Sequence, residues 1–215
     1  MPRRFLEACS TSPAAALAAE RGGASRIELC RDLPCGGLTP SEADIREAVA
    51  RCHIPVNVLI RPRPGDFHYN EAEISEMLAS IRLCKEAGAH GVVIGALGRD
   101  GQVDTAAMRK LIAAARPLSV TFHRAFDVCA DPEKALEDII ALGCDRLLTS
   151  GHEADAYAGR FRLAEIVRRA AGRTVILAGC GIRDWNIDEI AAASGAPEYH
   201  SSSMTLFKSS PSEVL

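Results

Sequence analysis

The sequence predicts a single α/β domain over residues 1–215, folded as a TIM or (β/α)8 barrel, and three observations carry that expectation. Short apolar runs alternate with amphipathic stretches from end to end, so a strand-like and a helix-like hydrophobic pattern take turns along the chain. Successive runs begin 21 to 35 residues apart, enough for one strand and one crossover helix, and no linker separates a second domain. The runs are apolar on both faces, as parallel strands covered by helices must be. A doubly wound open sheet is the alternative, but no Gly-x-Gly-x-x-Gly opens a helix near the start.

The first strand, Phe5 to Ala8, carries Glu7 within an apolar run, and the alanine-rich stretch Ser12 to Arg21 follows as a helix. Arg26 to Leu29 forms the second strand with Glu28 inside it; Thr39 then stands as a cap before Pro40, opening a helix to Arg51. The third strand, Val56 to Ile60, runs into the densest polar loop of the chain, Arg61 to Tyr69. Its helix, Glu71 to Ala87, stops on Gly88. Gly91 to Ile94 and Thr105 to Ala115 make the fourth unit. Ser119 to His123 is the fifth strand, and Asp131-Pro132 caps a helix that ends at Leu142 before Gly143.

Arg146 to Thr149 precedes a helix from Ala154 to Ala171, and Thr174 to Ala178 precedes one from Trp185 to Ala193. Glu198 to His200 is the eighth strand. After it, Ser201 to Pro211 has little helical periodicity, so the eighth helix is expected to be short, irregular or missing. A neighbouring subunit would then cover strands one and eight, which predicts a homo-oligomer, a dimer or tetramer.

A formal net charge of −3 without any Lys/Arg-rich run excludes the broad basic footprint of a nucleic-acid binder. No window reaches the roughly 18 apolar residues of a membrane span, and Met1 to Cys9 has no apolar leader core. The expected setting is the cytoplasm. The 8 cysteines contain no Cys-x-x-Cys, which argues against a structural zinc site. Scattered through apolar segments, they read as small buried hydrophobes in a reducing compartment.

Barrel chemistry collects where the strands end. Glu7 and Glu28 are costly in apolar strands unless paired, and Arg61 or Arg124 is the expected partner. Val120-Thr121-Phe122-His123-Arg124-Ala125-Phe126-Asp127 turns from buried strand to imidazole, guanidinium and carboxylate within a few residues. His123 is expected to face the two carboxylates across a shared mouth. Arg61 and Arg63 alternate with prolines on an extended segment beside Asp66, suiting them to a carboxylate, phosphate or polyol. Thr149 and His200 end strands six and eight as polar groups, and Gly179, Gly181 and Ser201 follow strands seven and eight, where many barrels bind phosphate through backbone N–H groups.

Three readings stay open on these residues. In an enzyme of lyase or isomerase type acting on a small anionic or sugar-like molecule, Glu7 or Glu28 is the base and His123 the acid, with Asp127 beside it. Arg61, Arg63 and Arg124 then hold the substrate. In a metal protein, Cys9, Cys30, Cys129 and Cys180, just past strand ends, offer soft thiolates to Cu(I), and His68, His123 and His200 could converge beside a carboxylate. In a ligand-binding or scaffold barrel, the same charges form structural ion pairs and the thiols are simply buried.

Five segments carry a family likeness. Gly36-Gly37-Leu38-Thr39-Pro40, Ile60-Arg61-Pro62-Arg63-Pro64-Gly65-Asp66-Phe67-His68-Tyr69, Val120 to Asp127, Leu147-Leu148-Thr149-Ser150-Gly151 and Glu198-Tyr199-His200-Ser201-Ser202 resemble the CutC copper homeostasis family, in order and over nearly the whole chain. The resemblance implies a TIM barrel, homo-oligomers, a cytoplasmic setting and Cu(I) as the bound metal. It carries over Glu7, Glu28, Arg61, Arg63, Asp66, His123, Arg124, Asp127, Thr149, His200 and Ser201 as motif positions. Family members commonly continue through a further helix, whereas this sequence stops soon after the eighth strand.

Overall fold

A computed structural model describes residues 4–202. The strands are β1 (Phe5–Ser10), β2 (Arg26–Leu29), β3 (Val56–Leu59), β4 (Gly91–Ile94), β5 (Ser119–Phe122), β6 (Arg146–Thr149), β7 (Val175–Ala178) and β8 (Glu198–Ser201). Each pairs in parallel with the next, and β8 returns to β1 to close the barrel. The crossovers carry α1 (Pro13–Arg21), α2 (Glu42–Arg51), α3 (Glu71–Ala87), α4 (Thr105–Ala115), α5 (Pro132–Ala141), α6 (Arg160–Ala170) and α7 (Ile187–Ser194). The expected barrel is therefore the observed one, and the doubly wound alternative is set aside. The irregular segment expected beyond the eighth strand lies almost wholly outside the described residues. Among the described residues, no helix is long and apolar enough to cross a membrane.

Local chemistry explains most element ends. Asp131 accepts from the backbone N–H of Glu133 and Lys134 with Pro132 in the first turn, and Gly88 closes α3 in the left-handed conformation. α2 begins later than expected because Ser41, not Thr39, caps it by accepting from Asp44 N–H. The Thr39 hydroxyl instead accepts from Arg61 N–H at 2.8 Å, tying the β2–α2 loop to the end of β3. Helix α6 starts at Arg160 rather than Ala154, because Ala156 N–H bonds to Cys180 C=O and draws the preceding loop across the barrel mouth.

Gly159 holds that loop closed, since a Cβ there would overlap the Ser150 carbonyl oxygen. Gly159→Ala is expected to cost about 3 kcal/mol or more, because backbone rather than a mobile side chain must move. Urea denaturation measures this; a loss below about 1 kcal/mol would show that the loop yields.

Apolar burial lies mainly between strands and helices, where Ile27, Ile45, Ile81, Met108, Leu111, Phe122, Phe126 and Ile139 are fully buried. Inside the barrel the alternation is different: Glu7, Arg26, Glu28, Asn57, Thr121, His123, Glu198 and His200 are all buried polar residues. The apolar strand faces build the outer layer, and the residues between them give this barrel a polar lumen.

Candidate functional site

The lumen is organised from its lower end by a buried charge network. Arg26 at the start of β2 donates to Glu7 on β1 and, at 2.6 Å, to Glu198 on β8. Arg146 on β6 joins Glu198 at 2.9 Å and reaches Ser119 on β5 at 2.8 Å. This corrects the expected partner: Glu7 is neutralised by Arg26 rather than by Arg61 or Arg124. Sequence reasoning missed Arg26, Arg146 and Glu198 because they lie at strand beginnings, where stability rather than chemistry is expected. The available signal was their alternation with Glu28, Leu148 and His200 on the same strand faces.

Above this network, His200 Nδ1 donates to Glu7 Oε1 at 2.8 Å and Nε2 lies 3.7 Å from Glu28 Oε2. Burial alone would raise the Glu7 pKa, but the His200 hydrogen bond and the charge of Arg26 outweigh it and hold it at about 2. Burial pushes His200 down, yet Glu28 and Glu7 together lift it to about 9. Glu28, which has no arginine bonded to it among the described residues, is raised mainly by burial. The imidazole facing the carboxylates of β1 and β2 is thus His200, not the expected His123.

Two thiols complete this side. Cys9 on β1 and Cys30 just beyond β2 bring their Sγ atoms to 3.4 Å, both buried. Ligand atoms of Cys9, Glu28 and His200 all lie within 4.8 Å of one another. The Cys30 hydrogen bond and then burial push the Cys9 thiol up, so it is held as S–H. Strand pairing explains the convergence, since Cys9 stands opposite Glu28 and Glu7 opposite His200.

These groups form one wall of a cavity of about 410 Å³ at the C-terminal ends of the strands. Arg61, His123, Arg124, Asp127 and Gly181 line the rest, with Cys35 and Cys180 at its rim. Arg61 is fixed by three carbonyls, Cys35 at 2.9 Å, Gly37 at 3.1 Å and Gly65 at 2.8 Å. His123 accepts at Nδ1 from Ala125 N–H and packs on Phe67 at 4.8 Å between ring centres. Burial, followed by the charge of Arg61, lowers its pKa to about 3.

Other predicted residues have different surroundings. Asp127 is bonded to Arg124, the Thr149 hydroxyl and the backbone N–H of Ser150, so its oxygens anchor the β5 and β6 loops. Arg63 pairs with Asp66 and Glu73 outside this cavity, and Asp66 lines a neighbouring groove with His68. His68 therefore does not converge with His123 and His200. Gly179 N–H is used by Thr149 C=O, and a Cβ there would overlap Leu148, so this glycine serves close packing rather than anion binding. Ser201 donates to Ile182 C=O. Cys129 lies 3.7 Å from His152 Nε2, away from the thiol pair.

The chain is similar to proteins of known family. The model of the CutC family matches residues 4–205. A family protein CutC from Parabacteroides distasonis is 53% identical over 205 residues, covering 95% of this chain and 84% of the relative. One from Xylella fastidiosa is 49% identical over 201 residues, covering 94% of this chain and 75% of the relative. The solved structure described as copper homeostasis protein CutC from Streptococcus agalactiae superposes with a TM-score of 0.90 at 31% identity, covering 94% of this chain and 100% of that one. With the closed barrel and its polar lumen, these matches establish that the chain belongs to the CutC family.

Proposed function

We propose that this protein binds Cu(I) in the cytoplasm through the thiol pair Cys9 and Cys30, with His200 as the adjoining nitrogen donor. The observation that carries the reading is the convergence of both thiols with the His200 imidazole and the Glu28 carboxylate. Thiolates and imidazole are soft or borderline donors, which suit Cu(I) better than oxygen-only sites would. Glu7 holds His200 at Nδ1, leaving Nε2 turned toward Glu28, as an orienting carboxylate does for a ligating histidine. The copper homeostasis description of the Streptococcus agalactiae relative points to the same ion. Because the two sulfurs share a hydrogen bond, at least one carries a proton, and metal uptake must release it.

Anaerobic titration against a chromophoric Cu(I) chelator tests this reading. Cys9→Ala with Cys30→Ala is expected to weaken Cu(I) binding by roughly a hundredfold or more, and wild-type affinity should rise with pH as protons are released. Unchanged affinity in the double variant, or a preference for Zn(II) over Cu(I), would overturn it.

A further inference from the structure

Past the thiol pair, the part of the cavity lining that follows β3 and β5 has a different chemistry. Arg61 is 5% exposed, and among the described residues no carboxylate lies within ion-pair distance of it. The other arginines near the lumen differ: Arg26 has Glu7 and Glu198, Arg124 has Asp127, and Arg63 has Asp66 and Glu73. The Arg61 guanidinium bonds three carbonyls and stands 5.0 Å over the Phe67 ring, while its Nε has no hydrogen-bond partner among the described residues, and a buried cation without an anion is costly. Lining the same cavity, His123 is also 5% exposed, and its Nε2 has no hydrogen-bond partner among the described residues. Since Nδ1 accepts from Ala125 N–H, the neutral ring carries its proton on Nε2, leaving an unanswered donor. The remaining carboxylates of the cavity are committed, Glu28 beside His200 and Asp127 to Arg124.

We infer that the cavity binds a small organic carboxylate, its oxygens held by Arg61 and the His123 Nε2–H and its apolar body against Leu59, Phe67 and Leu148. One cation and one neutral N–H match a singly charged carboxylate, whereas a phosphate would ask for more donors. The apolar side chains lining the same cavity favour a carbon-bearing ligand over a bare inorganic anion. Gly95 makes room for the ring, because a Cβ there would stand 2.5 Å from His123 Cε1. This site uses none of the thiols, so it stands or falls separately from copper binding.

Benzoate and butyrate are the probes, compared with benzamide, butyramide and inorganic phosphate, with ligand-observed NMR on the full chain in excess Cu(I) chelator. Both carboxylates are expected to bind, each roughly tenfold or more tightly than its neutral amide. His123→Phe, which keeps the ring and removes the donor, should weaken them by about the same factor, and Arg61→Lys should weaken them too. Circular dichroism verifies that each variant is folded; should Arg61→Lys not fold, His123→Phe and the amide comparison decide. Acids and amides binding alike, an unaltered affinity in folded His123→Phe, binding of phosphate alone, or no binding of either carboxylate would overturn the assignment. Carboxylate binding without Cu(I) binding, or the reverse, separates the two readings.

Discussion

Arg26→Ala is expected to lower the unfolding free energy by about 3–5 kcal/mol, the cost of taking one cation out of a buried ion-pair network. Arg26 is 3% exposed and is bonded to both Glu7 and Glu198, so its removal takes a buried cation from two carboxylates at once and leaves Glu198 to Arg146 and Glu7 to His200. In a domain of this size the loss corresponds to a fall in Tm of roughly 6–20 °C. Calorimetry with urea denaturation checks both figures. Arg26→Met with Glu7→Gln, which removes charge from both sides, should recover part of the loss, because a buried pair replaced together costs less than one broken. A change below about 1 kcal/mol for Arg26→Ala would mean that water reaches the carboxylates and the lumen is not sealed there.

The second large effect is on acid stability. His123 has its pKa lowered from 6.5 to about 3, so between these values the unfolded chain takes up a proton that the native ring refuses. Stability therefore falls as pH falls through this window, with a slope of up to about 1.4 kcal/mol per pH unit from this residue. His123→Phe should flatten that slope, although loss of the Ala125 cap lowers its stability near neutrality by about 1 kcal/mol. Glu7 acts further down: lowered from 4.5 to about 2, its contribution is present above 4.5 and lost as pH falls through 2. His200 works in the opposite direction. Raised from 6.5 to about 9, it contributes fully below 6.5, and the contribution is lost as pH rises through 9. On these three groups stability should peak near pH 6.5, and urea midpoints from about pH 2 to 9 read the profile. Identical acid slopes in wild type and His123→Phe would refute the neutral buried ring.

Much of the fold was legible because its signals are local. Asp131-Pro132 and Ala87-Gly88 mark helix ends within a few bonds, and the apolar runs of β1 to β8 state their own burial. The start of α6 was not legible, since the Ala156 N–H to Cys180 C=O bond that holds the preceding loop comes from another strand's end. The site was legible as a set of residue types and not as a set of contacts. Glu28, Arg61, His123 and His200 all stand at the mouth, as their strand positions imply, but Glu7 pairs with Arg26 and His200 rather than with Arg61, Arg124 or His123, partners that no local pattern marks.

The alternation of strand and helix patterns determined by itself that this chain closes a barrel and that its strand ends are polar. Tertiary structure alone decided which of those ends meet. Closure places β8 beside β1, joining Glu7 to His200 across 193 residues and Arg26 to Glu198 across 172. Strand register then sets Cys9 against Cys30 and His200, and the ends of β3 and β5 carry Arg61 and His123 to the same cavity. Composition and spacing report what each strand carries to the lumen. The pairing of charges there depends on distances of a few ångströms between strands, which follow from closure and register and from nothing local to either residue.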